Sequence, residues 1–178
     1  MGTNIYTYDF PGPIGSIGIA ETGGAICRIL FGMPGDFLNA SRFIRELRQS
    51  SLFDREAPAL RETDVLKLAA GQFSEYLGGG RASFDLPLIN NTSGFTKLVY
   101  DELLKIPAGQ TRSYREVAVA CGNPKAFRAV GMINKNNPIP FFIPCHRVIG
   151  SDGSLVGYAG GLAIKQYLLD LEKTYYSH

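Results

Sequence analysis

The feature that most constrains the fold of this chain is a change of hydrophobic periodicity along its length. Residues 5–10, 14–20 and 25–31 are rich in β-branched and aromatic side chains at strand-like spacing. Thr22, Gly23 and Gly24 favour a hairpin turn between the last two of these segments. The first part of the chain is therefore predicted to form a small strand meander.

Helical spacing then replaces the alternation. It predicts helices at residues 37–47 and 65–77, with a short strand at residues 84–88. Residues 90–94 are polar and end in Gly94, a composition typical of a connector. We place a domain boundary there and expect an α+β protein with domains at residues 1–90 and 91–178.

The second half is predicted to be mainly helical. An apolar stripe at Phe95, Leu98, Val99, Leu103 and Leu104 indicates one helix, and residues 162–173 indicate the last one.

Between these two segments lie the signals of two further helices. Ser113 with Glu116 matches a capping box that opens a helix at residues 114–121. Gly122 ends it, and Asn123 with Pro124 can start another at residues 124–135. This is helix-turn-helix spacing, which suits either DNA binding or two helices that simply pack together.

Composition excludes several classes of protein. The three cysteines, Cys27, Cys121 and Cys145, are widely spaced, and the chain starts without a signal-peptide pattern, so we expect free thiols in a reducing, cytoplasmic setting (nuclear in a eukaryote). No apolar run is long enough to cross a membrane, and two histidines supply too few ligands for a closed zinc site. We predict no metal and no cofactor.

Residues 1–90 carry a net charge of −2 and residues 91–178 one of +4, which permits nucleic-acid binding by the second half.

Cys145 followed by His146 is the candidate chemical site. A thiol becomes a strong nucleophile when a neighbouring base ionises it. Pro138, Pro140 and Pro144 stiffen the chain that leads to Cys145, which suggests a segment built to present it. The alternative for the pair alone is a buried cysteine beside a structural histidine.

The surrounding motifs extend this pattern over residues 93–173. They are Ile106-Pro107-x-Gly109-x-x-x-Ser113-Tyr114, Gly122-Asn123-Pro124, Arg128-Ala129-Val130-Gly131, Asn137-Pro138, Pro144-Cys145-His146-Arg147-Val148, Gly157-Tyr158-Ala159-Gly160-Gly161-Leu162 and Lys165-x-x-Leu168-Leu169-x-x-Glu172. In order and spacing the set resembles the O6-alkylguanine-DNA alkyltransferase family. The resemblance implies a ribonuclease-H-like N-terminal α/β domain, followed by a winged-helix, helix-turn-helix domain that carries the active site.

The resemblance also implies roles for the site residues. Cys145 attacks the alkyl carbon, His146 takes the thiol proton through a water, and Glu172 orients the imidazole. Tyr114 donates a proton to the departing guanine, and Asn137 braces the turn that carries Cys145. The carbonyls of Val148 and Cys145 read the base, while Tyr158 and the backbone of Ala159 wall the pocket.

The implied partner is double-stranded DNA that contains O6-alkylguanine, with O4-alkylthymine as a second candidate substrate. The second helix of the pair enters the minor groove, and Arg128 fills the gap left by the flipped base. Ser113, Gly131 and Lys135 are the other residues assigned to DNA. The resemblance further implies a monomer that is used once, because a thioether does not regenerate the thiol.

The chain departs from the family pattern in three ways. Met132, Ile133 and Asn134 stand where smaller residues are usual, and Phe127 before Arg128 is larger than usual. Some family members hold zinc in the N-terminal domain, where this chain offers only Cys27 and no histidine.

Two other classes of function compete with this one. A non-enzymatic DNA-binding module, such as a regulator or a lesion-marking relative, would not need Cys145, His146, Glu172 and Tyr114 together. A cysteine hydrolase would leave Arg128 and the helix-turn-helix spacing unexplained.

Overall fold

The computed structural model describes residues 2–32, 58–89 and 92–176. By their contacts these residues divide into two compact units. One comprises the described residues up to Glu75 together with Phe84–Ile89, and the other Tyr76–Ser83 together with the described residues from Thr92 onward. The predicted helix at residues 37–47 lies outside the described residues, and the predicted division at residue 90 into two domains stays a prediction.

The first unit is built on a four-stranded sheet of order β3-β2-β1-β4. Its strands are β1 (Thr3–Phe10), β2 (Gly15–Thr22), β3 (Ala25–Phe31) and β4 (Ala59–Leu60). The first three are antiparallel neighbours, with Tyr6 opposite Ile19 and Ile19 opposite Ile29, while β4 runs parallel to β1. The predicted hairpin is confirmed, since Gly23 and Gly24 both have positive φ angles that a two-residue turn requires.

A long helix follows, α1 (Asp64–Leu77), close to the bounds that its spacing predicts. Its Leu66, Ala69 and Phe73 are fully buried, and the Phe73 ring meets that of Phe10 edge-on at 4.9 Å between centroids. In the sheet Ile17, Ile19 and Ile26 are fully buried as well, and Ile5 belongs to a separate buried cluster with Ala20, Cys27 and Leu30.

The predicted strand at residues 84–88 is wrong. Only Leu88 makes a bridge, to Ile26, flanked by backbone bonds at Pro87 and Ile89. The reason is that the Gln72 side chain takes both backbone groups of Asp85, at 2.8 and 2.9 Å, and that Pro87 has no N–H to donate. At Asp85 the backbone of the segment is therefore paired by a side chain and not by a neighbouring strand.

The second unit is mainly helical, as predicted. Its elements are α2 (Gly94–Leu104), β5 (Arg112–Ser113), α3 (Tyr114–Ala120), α4 (Phe127–Lys135), β6 (Val148–Ile149) and α5 (Leu162–Tyr176). The short strands β5 and β6 pair in parallel, which the sequence did not predict. On α2 the buried face consists of Val99, Tyr100 and Leu103, whereas Leu98 and Leu104 of the predicted stripe are exposed.

The helix pair forms with one correction. The capping box is present, because the Ser113 hydroxyl accepts from Glu116 N at 3.2 Å and the Glu116 carboxylate accepts from Ser113 N at 2.6 Å. The second helix begins at Phe127 rather than Pro124. Ala126 N donates to Asn123 O at 3.0 Å, so residues 124–126 form a tighter turn before helical bonding starts.

Among the described residues, none of the helices combines the length and apolar character that crossing a bilayer requires. Since the structure describes only part of the chain, this finding is limited to those residues.

Candidate active site

The segment before Cys145 is braced by one buried side chain. Asn137 Nδ2 donates to Ile143 O at 2.9 Å, and Asn137 Oδ1 accepts from Ile139 N at 3.1 Å. These bonds tie both ends of the proline-rich loop, in which Phe141 adopts a positive φ of 73°. A non-glycine residue in that region is strained, so the loop persists because its surroundings hold it. The bracing expected of Asn137 is therefore available in the geometry.

Cys145 opens a short 3-10 turn, Cys145–Arg147, and only 3% of its surface is exposed. Burial raises the pKa of its thiol to about 11. A hydrogen bond from Asn137 and the charge of Lys165 act in the opposite direction and lower that pKa. In this state the thiol is mostly protonated at neutral pH, so its reaction needs a group that removes the proton.

Glu172, on α5, accepts hydrogen bonds from four residues in a buried cluster. His146 Nε2 lies 2.9 Å from Oε1, and the Tyr76 hydroxyl donates to the same oxygen at 2.6 Å. The Arg147 guanidinium donates through Nε and Nη2, with its shortest bond at 2.7 Å, and Gly109 N donates to Oε2 at 3.1 Å. The donors come from three separate parts of the chain, at Tyr76, at Gly109 and in the turn Cys145–Arg147, so Glu172 joins parts of the second unit that are far apart in sequence.

The cluster determines the charge states of its members. Burial alone would raise the pKa of Glu172, but the hydrogen bond from His146 and the hydrogen bonds and charge of Arg147 hold it well below its usual range. Burial lowers the pKa of His146, against the opposing effect of Glu172. At neutral pH the cluster thus contains a carboxylate, a guanidinium and a neutral imidazole.

This fixes the tautomer of His146. The Glu172 carboxylate has no proton to give, so Nε2 must carry the hydrogen that it donates. Nδ1 is then the unprotonated nitrogen, and it is buried without a hydrogen-bond partner in the described part of the chain. An imidazole with an available lone pair beside Cys145 can accept a proton, directly or through a water.

Lys165 is a fully buried cation close to the same thiol. Its Nζ donates to Val148 O at 2.6 Å and to Val156 O at 3.1 Å, and it lies 5.8 Å from the centre of the Tyr114 ring. Burial lowers the pKa of Lys165 to about 8, while Cys145 acts to raise it. The lysine therefore sits where it can stabilise a thiolate.

Two tyrosines stand around this centre. The Tyr114 hydroxyl donates to Val156 O at 2.9 Å. Tyr158 is half-buried, its hydroxyl oxygen is buried, and its ring meets the His146 ring edge-on at 6.5 Å between centroids. Ala159 next to it is exposed.

A largely apolar cavity of about 310 Å³ opens between α4 and the segment at Val156 and Gly157. Its lining residues are Tyr114, Phe127, Arg128, Gly131, Met132, Lys135, Val156 and Gly157. It shares Tyr114 and Val156 with the hydrogen-bonding network around Lys165. A flat apolar group of base size would have room there.

The structure brings most of the predicted residues into this region. Cys145, His146, Glu172, Asn137, Tyr158 and Val148 lie in or beside the buried cluster, and Tyr114, Arg128, Gly131 and Lys135 line the cavity. Ser113 has its hydroxyl and its backbone engaged with Glu116, so the structure gives it a capping role.

Tyr76, Arg147 and Lys165 were not predicted from the sequence to belong to the site. Arg147 and Lys165 stood inside the quoted motifs, where a charged residue among apolar neighbours was the available signal. No comparable signal marks Tyr76.

In the described ranges no group of three or more His, Cys, Asp or Glu side chains could hold a metal ion. The three cysteines, at positions 27, 121 and 145, are free thiols.

Residues 94–174 match the family model of the 6-O-methylguanine DNA methyltransferase DNA-binding domain. The chain is 54% identical over 141 residues to the methylated-DNA–protein-cysteine methyltransferase of Methanosarcina barkeri, covering 79% of this chain and 75% of that protein. It is 40% identical over 165 residues to the constitutive enzyme of that name from Bacillus subtilis, covering 92% and 93%. Among solved structures, Mycobacterium tuberculosis OGT in complex with DNA is similar, with a TM-score of 0.77, 34% identity and coverage of 97% and 94%.

Proposed function

The chain belongs to the family of methylated-DNA–protein-cysteine methyltransferases, and we propose that it repairs DNA by moving the alkyl group of O6-alkylguanine onto its own Cys145. The observation that carries the choice of residue is the neutral His146 beside Cys145, with Nε2 held by the Glu172 carboxylate and Nδ1 open. O4-alkylthymine is a second candidate substrate for the same site.

The proposed reaction is an in-line displacement. His146 takes the thiol proton through a water, and the Cys145 thiolate attacks the alkyl carbon. A carbon–sulfur bond forms, the carbon–oxygen bond breaks, and its electron pair goes to O6 of the base. Tyr114 protonates the guanine ring as charge develops there. The atoms balance without a cofactor, since the chain is itself the acceptor.

The base must then be held by groups that already have partners. The Val148 carbonyl accepts from Lys165, but a carbonyl oxygen has two lone pairs and can also accept from the amino group of guanine. The Cys145 carbonyl is the second proposed acceptor for this group. The Tyr114 hydroxyl must leave the Val156 carbonyl to reach the base. Tyr158 and the Ala159 backbone wall the pocket.

The substrate reaches this buried thiol by flipping out of the duplex. Cys145 is too buried to meet a base that remains stacked. We propose that α4 lies in the minor groove, with Arg128 in place of the flipped base and with Gly131 and Lys135 against the DNA. Ser113 stays a proposed contact through the turn that it caps. The active species is proposed to be a monomer.

Each molecule is proposed to act once. A thioether at Cys145 provides no route back to the thiol, and the added group has to fit where only 3% of the residue is exposed. Adding carbon atoms to a packed site typically costs about 1–3 kcal/mol, so the alkylated protein should be less stable.

The test is transfer from duplex DNA that contains one O6-methylguanine, followed by intact and peptide mass spectrometry. We expect a single methyl group, on the peptide with Cys145, in an amount that never exceeds the protein. Cys145→Ala should bind the DNA and gain nothing, while the matched control Cys121→Ala should be methylated like the wild type. Folded, DNA-binding protein that gains no methyl group would refute the proposal.

A further inference from the structure

The exposed face of the helix pair carries a cation that has no assigned role. Arg115, on α3, lies with its guanidinium carbon 5.8 Å from the centre of the Phe127 ring. Arg128, on α4, lies at the same distance from the same ring. One aromatic side chain therefore contacts two guanidiniums that come from different helices.

Neither arginine is neutralised within the described part of the chain. Among the described residues, no carboxylate forms an ion pair with Arg115 or Arg128, whereas Lys97, Lys105, Arg112 and Arg147 all have such partners. Glu116, next to Arg115, is engaged with Ser113. Both arginines are exposed, and the Phe127 ring is 37% exposed. Two unpaired cations held at one exposed ring are suited to an anionic partner.

We propose that Arg115 binds a phosphate of the DNA strand beside the groove that receives Arg128, and that Phe127 is the positioning residue that holds the two guanidiniums in register. This inference rests on the proposed function, because it takes duplex DNA as the partner. It adds a backbone contact to the first helix of the pair, which nothing in the motifs assigned.

The distances fit such a contact. Since each guanidinium carbon is 5.8 Å from one ring centre, the two lie within about 12 Å of each other. The minor groove of B-DNA is about 6 Å wide and is walled by phosphates. Arg115, at most about 12 Å from an Arg128 that enters the groove, can therefore reach a phosphate in the wall of that groove. In helix-turn-helix proteins the first helix likewise crosses the backbone while the second occupies a groove.

Phe127 restricts two arginine side chains that would otherwise be flexible. Like charges repel, and each arginine side chain has many rotamers when nothing holds it. An aromatic face attracts a guanidinium, even at exposed sites. The Phe127 ring contacts both guanidiniums and so restricts both side chains before DNA binds. Loss of the ring should therefore weaken the coupling of the two arginines in DNA affinity.

The first experiment measures the affinity for an unmodified duplex as a function of salt. The variants are Arg115→Gln and the matched control Lys97→Gln, which removes a lysine already paired with Asp101. The plot of log K against log salt falls with a slope whose magnitude grows by about 0.9 for each phosphate contact. Arg115→Gln should therefore make this slope shallower by about 1. The ratio of the wild-type affinity to the Arg115→Gln affinity should then fall about 3.5-fold between 50 and 200 mM salt. A slope equal to the wild type's, in a variant with the wild-type melting temperature, would overturn the phosphate contact.

The second experiment tests the ring. A double-mutant cycle of Arg115→Gln and Arg128→Gln measures the coupling of the two arginines in DNA affinity. We expect coupling in the wild type and in Phe127→Tyr, and its loss in Phe127→Leu. Equal coupling in all three backgrounds would overturn the role of Phe127.

Methyl transfer by the wild type is measured separately, so the two proposals fail independently. Its absence refutes the proposed reaction at Cys145, while the salt slope still decides the role of Arg115.

Discussion

Replacing Glu172 by Gln tests the centre of the site with almost no change of shape. The carboxylate accepts from His146, Arg147, Tyr76 and Gly109, and Glu172 has no exposed surface. An amide keeps one acceptor oxygen but places an NH₂ group among these donors. The guanidinium of Arg147 would then be a buried charge without a counter-charge from this residue.

The cost follows from that loss. Removing one partner of a buried ion pair destabilises proteins by about 3–5 kcal/mol, because the other charge remains buried. In a chain of 178 residues each kcal/mol shifts the melting temperature by about 2–4 °C. Glu172→Gln should therefore melt about 6–20 °C lower than the wild type. Single-turnover methyl transfer should slow by about 10²-fold or more, since the carboxylate no longer stabilises the imidazolium.

The pH dependence of stability gives a separate readout. Because the folded-state pKa of Glu172 lies below its ordinary value of 4.5, the unfolded chain takes up this proton first as the pH falls. The stabilisation that the ionised Glu172 carboxylate contributes is therefore complete above pH 4.5 and is lost as the pH falls from there toward the folded-state pKa. The difference in unfolding free energy between wild type and variant should therefore be constant at neutral pH and shrink in acid.

The assay is urea unfolding with transfer kinetics, and Asp101→Asn is the matched control. Asp101 is an exposed carboxylate paired with Lys97 at 2.6 Å, where the loss should be at most about 1 kcal/mol. If Glu172→Gln unfolds like Asp101→Asn and transfers methyl groups at the wild-type rate, the assignment of Glu172 as the centre of the site is wrong.

Three more predictions concern its neighbours. Tyr114→Phe loses the bond to Val156 O and the proton donor, so we expect single-turnover transfer slower by about 10²-fold or more with the unfolding free energy reduced by about 0.5–1.5 kcal/mol; an unchanged rate would exclude Tyr114 as the acid. Lys165→Met should raise the pKa of Cys145 further and slow transfer throughout the range below about 11, which a pH–rate profile measures. In the wild type the pKa of Lys165 is about 8 when folded and near 10.5 when unfolded, so unfolding takes up a proton at this residue between these values and its contribution to stability rises with pH there. The unfolding free energy of the wild type relative to that of Lys165→Met should therefore rise with pH over this range, and a constant difference would contradict the buried-cation assignment. Asn137→Ala leaves the buried N–H of Ile139 unpaired, while Ile143 O keeps its bond from Cys145 N, and should cost about 1–3 kcal/mol in urea unfolding; a cost below that of Asp101→Asn would show that the loop does not depend on the brace.

Local signals in the sequence were sufficient for the elements that need only neighbouring residues. The hairpin at Gly23 and Gly24 and the capping box at Ser113 and Glu116 form as predicted, because turn dihedrals and cap bonds involve residues a few positions apart. The strand predicted at residues 84–88 failed for the opposite reason. Gln72, more than ten positions away, takes the backbone bonds that a ladder would need.

The sequence alone identifies the chemical groups: a cysteine and a histidine after a stiff loop, a tyrosine and an arginine on a helix pair, and the family to which their spacing points. How these groups are charged and which of them are in contact depends on the tertiary structure. Glu172 meets His146 across 26 residues and Tyr76 across 96. Lys165 reaches the Val148 carbonyl across 17. Burial and distance set the pKa values of Cys145, His146 and Lys165, and both depend on how distant segments pack, which no local pattern records.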